Sequence, residues 1–136
     1  SPLLRLWLES TTLAHPFIEA SYWQESEAIV RDVYLPSAET WVWDEADEVC
    51  GFISVLHVQY IGALFVAPSY TGKGIGKALI NHVKQRYPAL SLEVYQKNTR
   101  AVNFYHAQGF RIMDSAWQED TQHPTWIMSW QADQTP

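Results

Sequence analysis

A chain of 136 residues, 47% of them apolar, suffices for one ordinary hydrophobic core but not for two domains of usual size, so a single domain over 1–131 with a frayed tail at 132–136 is expected. The net charge of −6 argues against a nucleic-acid partner, and one cysteine, Cys50, excludes an internal disulfide framework or a zinc cluster. The longest apolar run, 52–56, falls far short of the roughly 20 residues a membrane helix needs, and no signal peptide is visible, so no membrane partner and a cytoplasmic setting are expected.

Ser1-Pro2 reads as an N-cap and first helical residue, followed by Leu3, Leu4, Trp7 and Leu8 on one helical face. His15-Pro16 breaks this helix, and a second is expected over 22–34, stopped before Pro36. Runs rich in β-branched and aromatic residues at 40–43, 49–57 and 59–66 predict an antiparallel meander, with an acidic turn at 44–48. After Pro68 come three glycines and then a helix, on which Ile75, Leu79, Val83 and Tyr87 recur every four residues until Pro88 ends it. The strand at 90–95 puts Leu90, Leu92 and Val94 on one side and Ser91, Glu93 and Tyr95 on the other. A helix over 98–108, a left-handed C-cap at Gly109 and strands at 110–117 and 125–130 complete the order ααβββαβαββ. That is an α/β (α+β) domain with a mixed sheet. Trp41, Trp43, Trp126 and Trp130 alternate on strands as core residues do.

The charges are segregated. Residues 73–111 hold seven of the nine Lys and Arg residues but only one acid, Glu93, which makes this stretch +6 and the remainder −12. Single lysines at such positions are ordinary solvated charges, but as a group they suggest an anion site. Within it, Thr71-Gly72-Lys73-Gly74-Ile75-Gly76 joins a strand to a helix, where backbone N–H groups can converge on a phosphate at the positive end of the helix dipole. A tight turn would use the same glycines. Two nucleotide loops fail on spacing. Gly72 and Gly76 enclose three residues where a Walker A loop needs four, and a dinucleotide fingerprint puts Lys77 or Leu79 at its third glycine.

Two motifs in this order resemble the GNAT superfamily of acyl-coenzyme A-dependent N-acetyltransferases, over most of the chain. The first is the loop, whose family pattern is Arg or Gln, two residues, Gly, one residue, then Gly or Ala. Thr71 stands at the Arg/Gln position, while Gly74 and Gly76 match. The second is Asn98 to Phe110, which is similar to Asn-x-x-Ala-x-x-Phe-Tyr-x-x-x-Gly-Phe throughout. The resemblance implies the GNAT fold, with a mixed, mostly antiparallel central sheet flanked by helices. Such domains open on a strand, whereas this sequence starts on a helix, so the first strand is expected to be missing from the chain.

The resemblance also implies acetyl-coenzyme A as co-substrate and an amine acceptor, by direct attack in a ternary complex. Gly72, Lys73, Gly74, Ile75, Gly76 and Lys77 would hold the pyrophosphate, and Leu64, Phe65 and Val66 would offer backbone groups to the cofactor and to the oxyanion. Asn98 and Phe104 would border the cofactor. For Asn98, Phe104 and Gly109 the local pattern equally predicts an N-cap, a core residue and a C-cap.

Tyr105 would lie near the cofactor sulfur as general acid, since a phenol of pKa about 10 can protonate a leaving thiolate of about 8.5 when held close. The attacking amine must first lose a proton held with a pKa of about 10.4, and Glu93, beside the cofactor, is the candidate base. Trp7, His15, Phe17 and Trp23 are candidates to line an acceptor pocket. The five histidines show no ligand spacing, so no metal is expected, and Cys50 reads as core. The acceptor implied is a protein lysine or N-terminal amine; a small amine acceptor, or an acyl-coenzyme A-binding regulatory domain without turnover, are the alternatives. Monomer and homodimer both fit.

Overall fold

The computed structural model describes residues 2–57 and 59–132, so the expected Ser1 cap and most of the frayed tail lie outside the described residues. Six strands form one mixed sheet in the order β1-β2-β3-β4-β6-β5. β1 (Ala38–Glu45), β2 (Glu48–Leu56) and β3 (Tyr60–Val66) make the expected antiparallel meander. The acidic turn is shorter than its composition suggests, because Asp44 and Glu45 pair with Val49 and Glu48. Only Ala46 and Asp47 turn, both at positive φ (50° and 63°), as a two-residue hairpin loop matched to strand twist requires.

β4 (Ala89–Tyr95) lies parallel to β3, and β6 (His123–Gln131) inserts antiparallel between β4 and β5 (Arg111–Gln118). Along β4 the alternation holds: Leu90, Leu92 and Val94 are buried, and Ser91, Glu93 and Tyr95 are half-buried on the other face.

Helices cover both faces. α1 (Pro2–Ala14) buries Leu4, Leu6 and Trp7, and Leu6 and Trp7 pack with Phe52, Ala63 and Phe65 on one side of the sheet. On the other, α4 (Ile75–Lys84) sets Ile75, Leu79, Ile80 and Val83 against Ile53, Leu90, Leu92 and Met128, with α5 (Thr99–Ala107) beside it. Each such aliphatic side chain contributes roughly 1.5–3 kcal/mol on full burial. Tyr87 falls beyond α4, whose last turn tightens at Gln85, yet it still packs on this core. Trp43 departs from its expected core role: it is 38% exposed and donates from Nε1 to Glu45 Oε1 at 3.2 Å.

Pro36 does not stop the second helix. α2 (Ala20–Ile29) widens into a π turn (Val30–Tyr34) and then the single turn α3 (Leu35–Ser37), which contains the proline. The wider turn lets Leu35 N–H reach Val30 O, and Pro36, in the first turn of α3, has no N–H to satisfy.

The β3–β4 pair positions the site. Its ladder registers one residue pair, Tyr60↔Ser91, joined by Ser91 N–H to Gln59 O at 2.9 Å, after which the strands diverge. On the β2 side, Ala67 N–H bonds Cys50 O at 2.6 Å. Backbone groups alternate in direction along a strand, so those of Leu64 and Val66 point into the gap toward β4.

Candidate active site

The glycine loop ends in the left-handed conformation, with Gly72 at φ 79° and Gly74 at φ 82°; both face open space where a side chain would begin. Gly74 caps α4, and no side chain bonds the cap. Ala78 N–H closes the first turn on Gly74 O at 3.0 Å, so the N–H groups of Ile75, Gly76 and Lys77 remain free of the helix ladder. Together with the helix dipole this makes an anion cradle, which fits a pyrophosphate.

Gly76 has a steric reason to lack a side chain: a Cβ there would stand 3.3 Å from Cζ of Phe104. Phe104 therefore holds the start of α4 against α5. Thr71, at the position where the family pattern has Arg or Gln, donates its hydroxyl to Pro68 O at 3.0 Å, back into the preceding turn, and Lys73 Nζ sits 5.1 Å from the Tyr70 ring centre.

On the same side of the sheet, Asn98 caps α5 by accepting from Ala101 N–H at 3.3 Å. Its Nδ2 lies 3.5 Å from His15 Nε2, which links α5 to the end of α1. Tyr105 is partly buried between Phe104 and Phe110, with ring centres 5.4 and 5.7 Å away. Burial pushes its phenol well above the usual range, and Tyr60 nearby adds to the shift.

The opposite face holds a cavity of about 370 Å³ between the helices α1 and α2 and the sheet. Its wall includes seven aromatic residues, among them Trp7, Tyr22, Trp23, Tyr60 and Tyr95, and among the described residues its charged members are Glu93 and Asp120. The Trp23 indole N–H is buried with no acceptor among the described residues. Glu93 is fixed at both oxygens: Thr125 Oγ1 donates to Oε2 at 2.5 Å and Gln118 Nε2 to Oε1 at 3.1 Å. Thr125 is fully buried, so this support is rigid.

Glu93 and Tyr105 thus stand on opposite faces of β4, one in the cavity and one beside the glycine-loop helix. Leu64 and Val66 direct backbone groups into the gap between β3 and β4, and their side chains pack on the α4 face, whereas Phe65 packs on the α1 face. The residue types at Gln118, Thr125, Tyr60 and Asp120 carried no motif. Strand register brings Gln118 and Thr125 to Glu93, and Tyr60 and Asp120 line the same cavity.

Of the four expected pocket residues, Trp7 and Trp23 line the cavity, and His15 and Phe17 stand behind it. His15 is buried against Trp23 and Tyr95, both ring centres at 5.2 Å. Its Nδ1, 2.7 Å from Thr11 O, donates to that carbonyl and leaves Nε2 as an acceptor toward Asn98. Burial lowers the His15 pKa, an effect the Thr11 bond partly offsets. A folded pKa below the unfolded value of about 6.5 gives stability that is complete above that pH and is lost as pH falls through the folded pKa. His15→Gln is accordingly expected to flatten the acid side of the stability profile below about pH 6.5, measured as thermal midpoints; an unchanged slope would assign it to other groups.

Comparison with known proteins agrees with this geometry. The profile described as the acetyltransferase (GNAT) family matches residues 2–110. Peptidyl-lysine N-acetyltransferase YiaC of Escherichia coli K12 is 56% identical over 133 residues, covering 98% of this chain and 91% of that protein. The solution structure of apo-form YjaB from Escherichia coli aligns with a TM-score of 0.80 at 31% identity, over 96% of this chain and 89% of that one. Arabidopsis thaliana Naa50, in complex with the bisubstrate analogue CoA-Ac-MVNAL, aligns with a TM-score of 0.65 at 26% identity, over 73% and 80%. The chain belongs to the GNAT acetyltransferase family. It is an N-acetyltransferase that uses acetyl-coenzyme A as co-substrate and an amine as acceptor. No helix among the described residues is long and apolar enough to cross a membrane.

Proposed function

We propose that the acceptor is a lysine side chain of a protein or peptide, and that the reaction runs across the β3–β4 gap in a ternary complex. The observation that carries this reading is the cavity: an aromatic-walled space with two carboxylates and no Lys or Arg in its described lining, on the face opposite the anion cradle. Aromatic faces and the carboxylates suit an alkyl stem ending in an ammonium. The name of YiaC supports the same acceptor class.

In this reading the free N–H groups of Ile75, Gly76 and Lys77 hold the pyrophosphate, and Asn98 and Phe104 border the bound co-substrate. Glu93, oriented by Gln118 and Thr125, takes a proton from the entering ammonium and frees the amine lone pair. The Leu64 and Val66 N–H groups, aimed into the gap, meet the oxyanion that forms as the amine attacks the thioester carbonyl. Tyr105, from the other side of β4, returns a proton to the departing thiolate. Two protons leave the nitrogen on the way to the neutral amide: Glu93 takes the first and passes it to solvent, and the second, lost as the tetrahedral intermediate collapses, replaces through water the one that Tyr105 gives to the sulfur. The buried, unpaired thiol of Cys50 is in keeping with a cytoplasmic setting.

Acetylation of a panel of lysine peptides with blocked N-termini, peptides with free N-termini and no lysine, and small polyamines, read by mass, tests the acceptor. Lysine peptides are expected to gain one acetyl group of about 42 Da on the side chain. Reaction of the polyamines alone would overturn the reading.

A further inference from the structure

The turn joining β5 to β6 is fastened to the rim of the aromatic cavity from two sides. Gln118, at its start, donates to Glu93 at 3.1 Å, and Thr121 Oγ1 shares a 3.1 Å hydrogen bond with the Tyr95 hydroxyl. Within the turn, Gln122 N–H bonds Gln118 O at 2.7 Å, and Gln122 Nε2 bonds Glu119 O at 2.7 Å. Gln122 itself takes a positive φ of 59° to close it.

These bonds hold Asp120 over the mouth, exposed to solvent yet part of the cavity lining. It lies near Tyr22 on α2 and Tyr95 on β4: burial, above all, raises the pKa of both phenols, and the Asp120 charge raises them further. The charge has no cation in the described lining to neutralise it, and Arg31 in the π turn is taken up by Asp32 at 2.9 Å.

We infer that Asp120 is the specificity-determining residue of the acceptor site: its carboxylate receives the lysine ammonium at the mouth and selects cationic acceptors, which then pass along the aromatic wall to Glu93. This rests on the lysine reading above. An exposed carboxylate acts by attraction through solvent, so its influence belongs to acceptor capture and not to the chemical step, and salt screens it. Glu93, half-buried and fixed by two donors, is screened less.

The test is steady-state kinetics of the full chain on a lysine peptide with a blocked N-terminus, for Asp120→Asn and Asp120→Lys, at about 20 mM and about 500 mM salt. At low salt the peptide KM is expected to rise about 3–5-fold for Asp120→Asn and more than about tenfold for Asp120→Lys. Both gaps should close at high salt, with kcat and the KM for acetyl-coenzyme A retained. A peptide KM for Asp120→Asn within about 1.5-fold of the parent at low salt, a loss equal at both salts, or a fall in kcat without a change in KM each overturns the assignment. If the unsubstituted chain acetylates small amines but no lysine peptide, the acceptor reading fails first and takes this inference with it, a result seen before any variant is made.

Discussion

Tyr105→Phe is expected to lower kcat by about 10²–10³-fold while the KM for acetyl-coenzyme A stays within about twofold. The substitution removes one hydroxyl and keeps the ring that packs between Phe104 and Phe110, so the fold and the anion cradle are left as they are. The phenol pKa is raised, chiefly by burial. Its neutral, proton-bearing form therefore persists as pH rises, and the parent enzyme should show no alkaline loss of rate from Tyr105 below about pH 10. Toward a fixed acceptor, a weaker acid is a poorer donor. In the proposed mechanism, however, the departing thiolate forms beside Tyr105 in the same desolvated surroundings, where its own pKa rises too, so donor and acceptor move together. A kcat within about threefold of the parent, or a matching rise in the KM for acetyl-coenzyme A, would show that the hydroxyl binds and does not protonate.

Tyr105 was legible in the sequence through the resemblance of 98–110 to the family motif, and local signals account only for its placement. Asn98 as N-cap, Gly109 at φ 93° as C-cap and the spacing between them define one short helix, and the helix period sets Phe104 and Tyr105 relative to its ends. The glycine loop was legible for a similar reason, since positive φ at Gly72 and Gly74 is a property of the residue type. Glu93 was legible as the outward side of an alternating strand, and its role as base came from the family resemblance alone. Its donors, Gln118 and Thr125, lie 25 and 32 residues away along the chain, and they arrive because β6 inserts between β4 and β5. No local periodicity encodes that insertion, because strand order depends on which edges pair after the chain has turned. The same holds for Asp120, whose composition reads as an ordinary exposed turn acid. The run past Pro36 failed for a different reason: the rule that proline ends a helix assumes the i→i−4 ladder, and a π turn relaxes it.

Glu93→Gln separates a base from a binding group. The amide is nearly isosteric, and its surroundings can adapt: the Thr125 hydroxyl can rotate to accept and the Gln118 amide can flip, so each lost hydrogen bond has a replacement and the thermal midpoint should barely move. Near pH 7 kcat/KM for a lysine peptide is expected to fall about 10²-fold, because the ammonium, with a pKa of about 10.4, must then shed its proton without help. Its neutral fraction grows about tenfold per pH unit, so the variant should gain rate steeply between about pH 7 and 10 while the parent changes less. The gap between them should narrow as pH rises. A gap of constant size across that range would mean that Glu93 orients the amine by its charge, with the proton leaving through solvent. In that case the two donors that fix its oxygens would serve geometry, and general-base catalysis would have to be reassigned to water in the gap where β3 and β4 part.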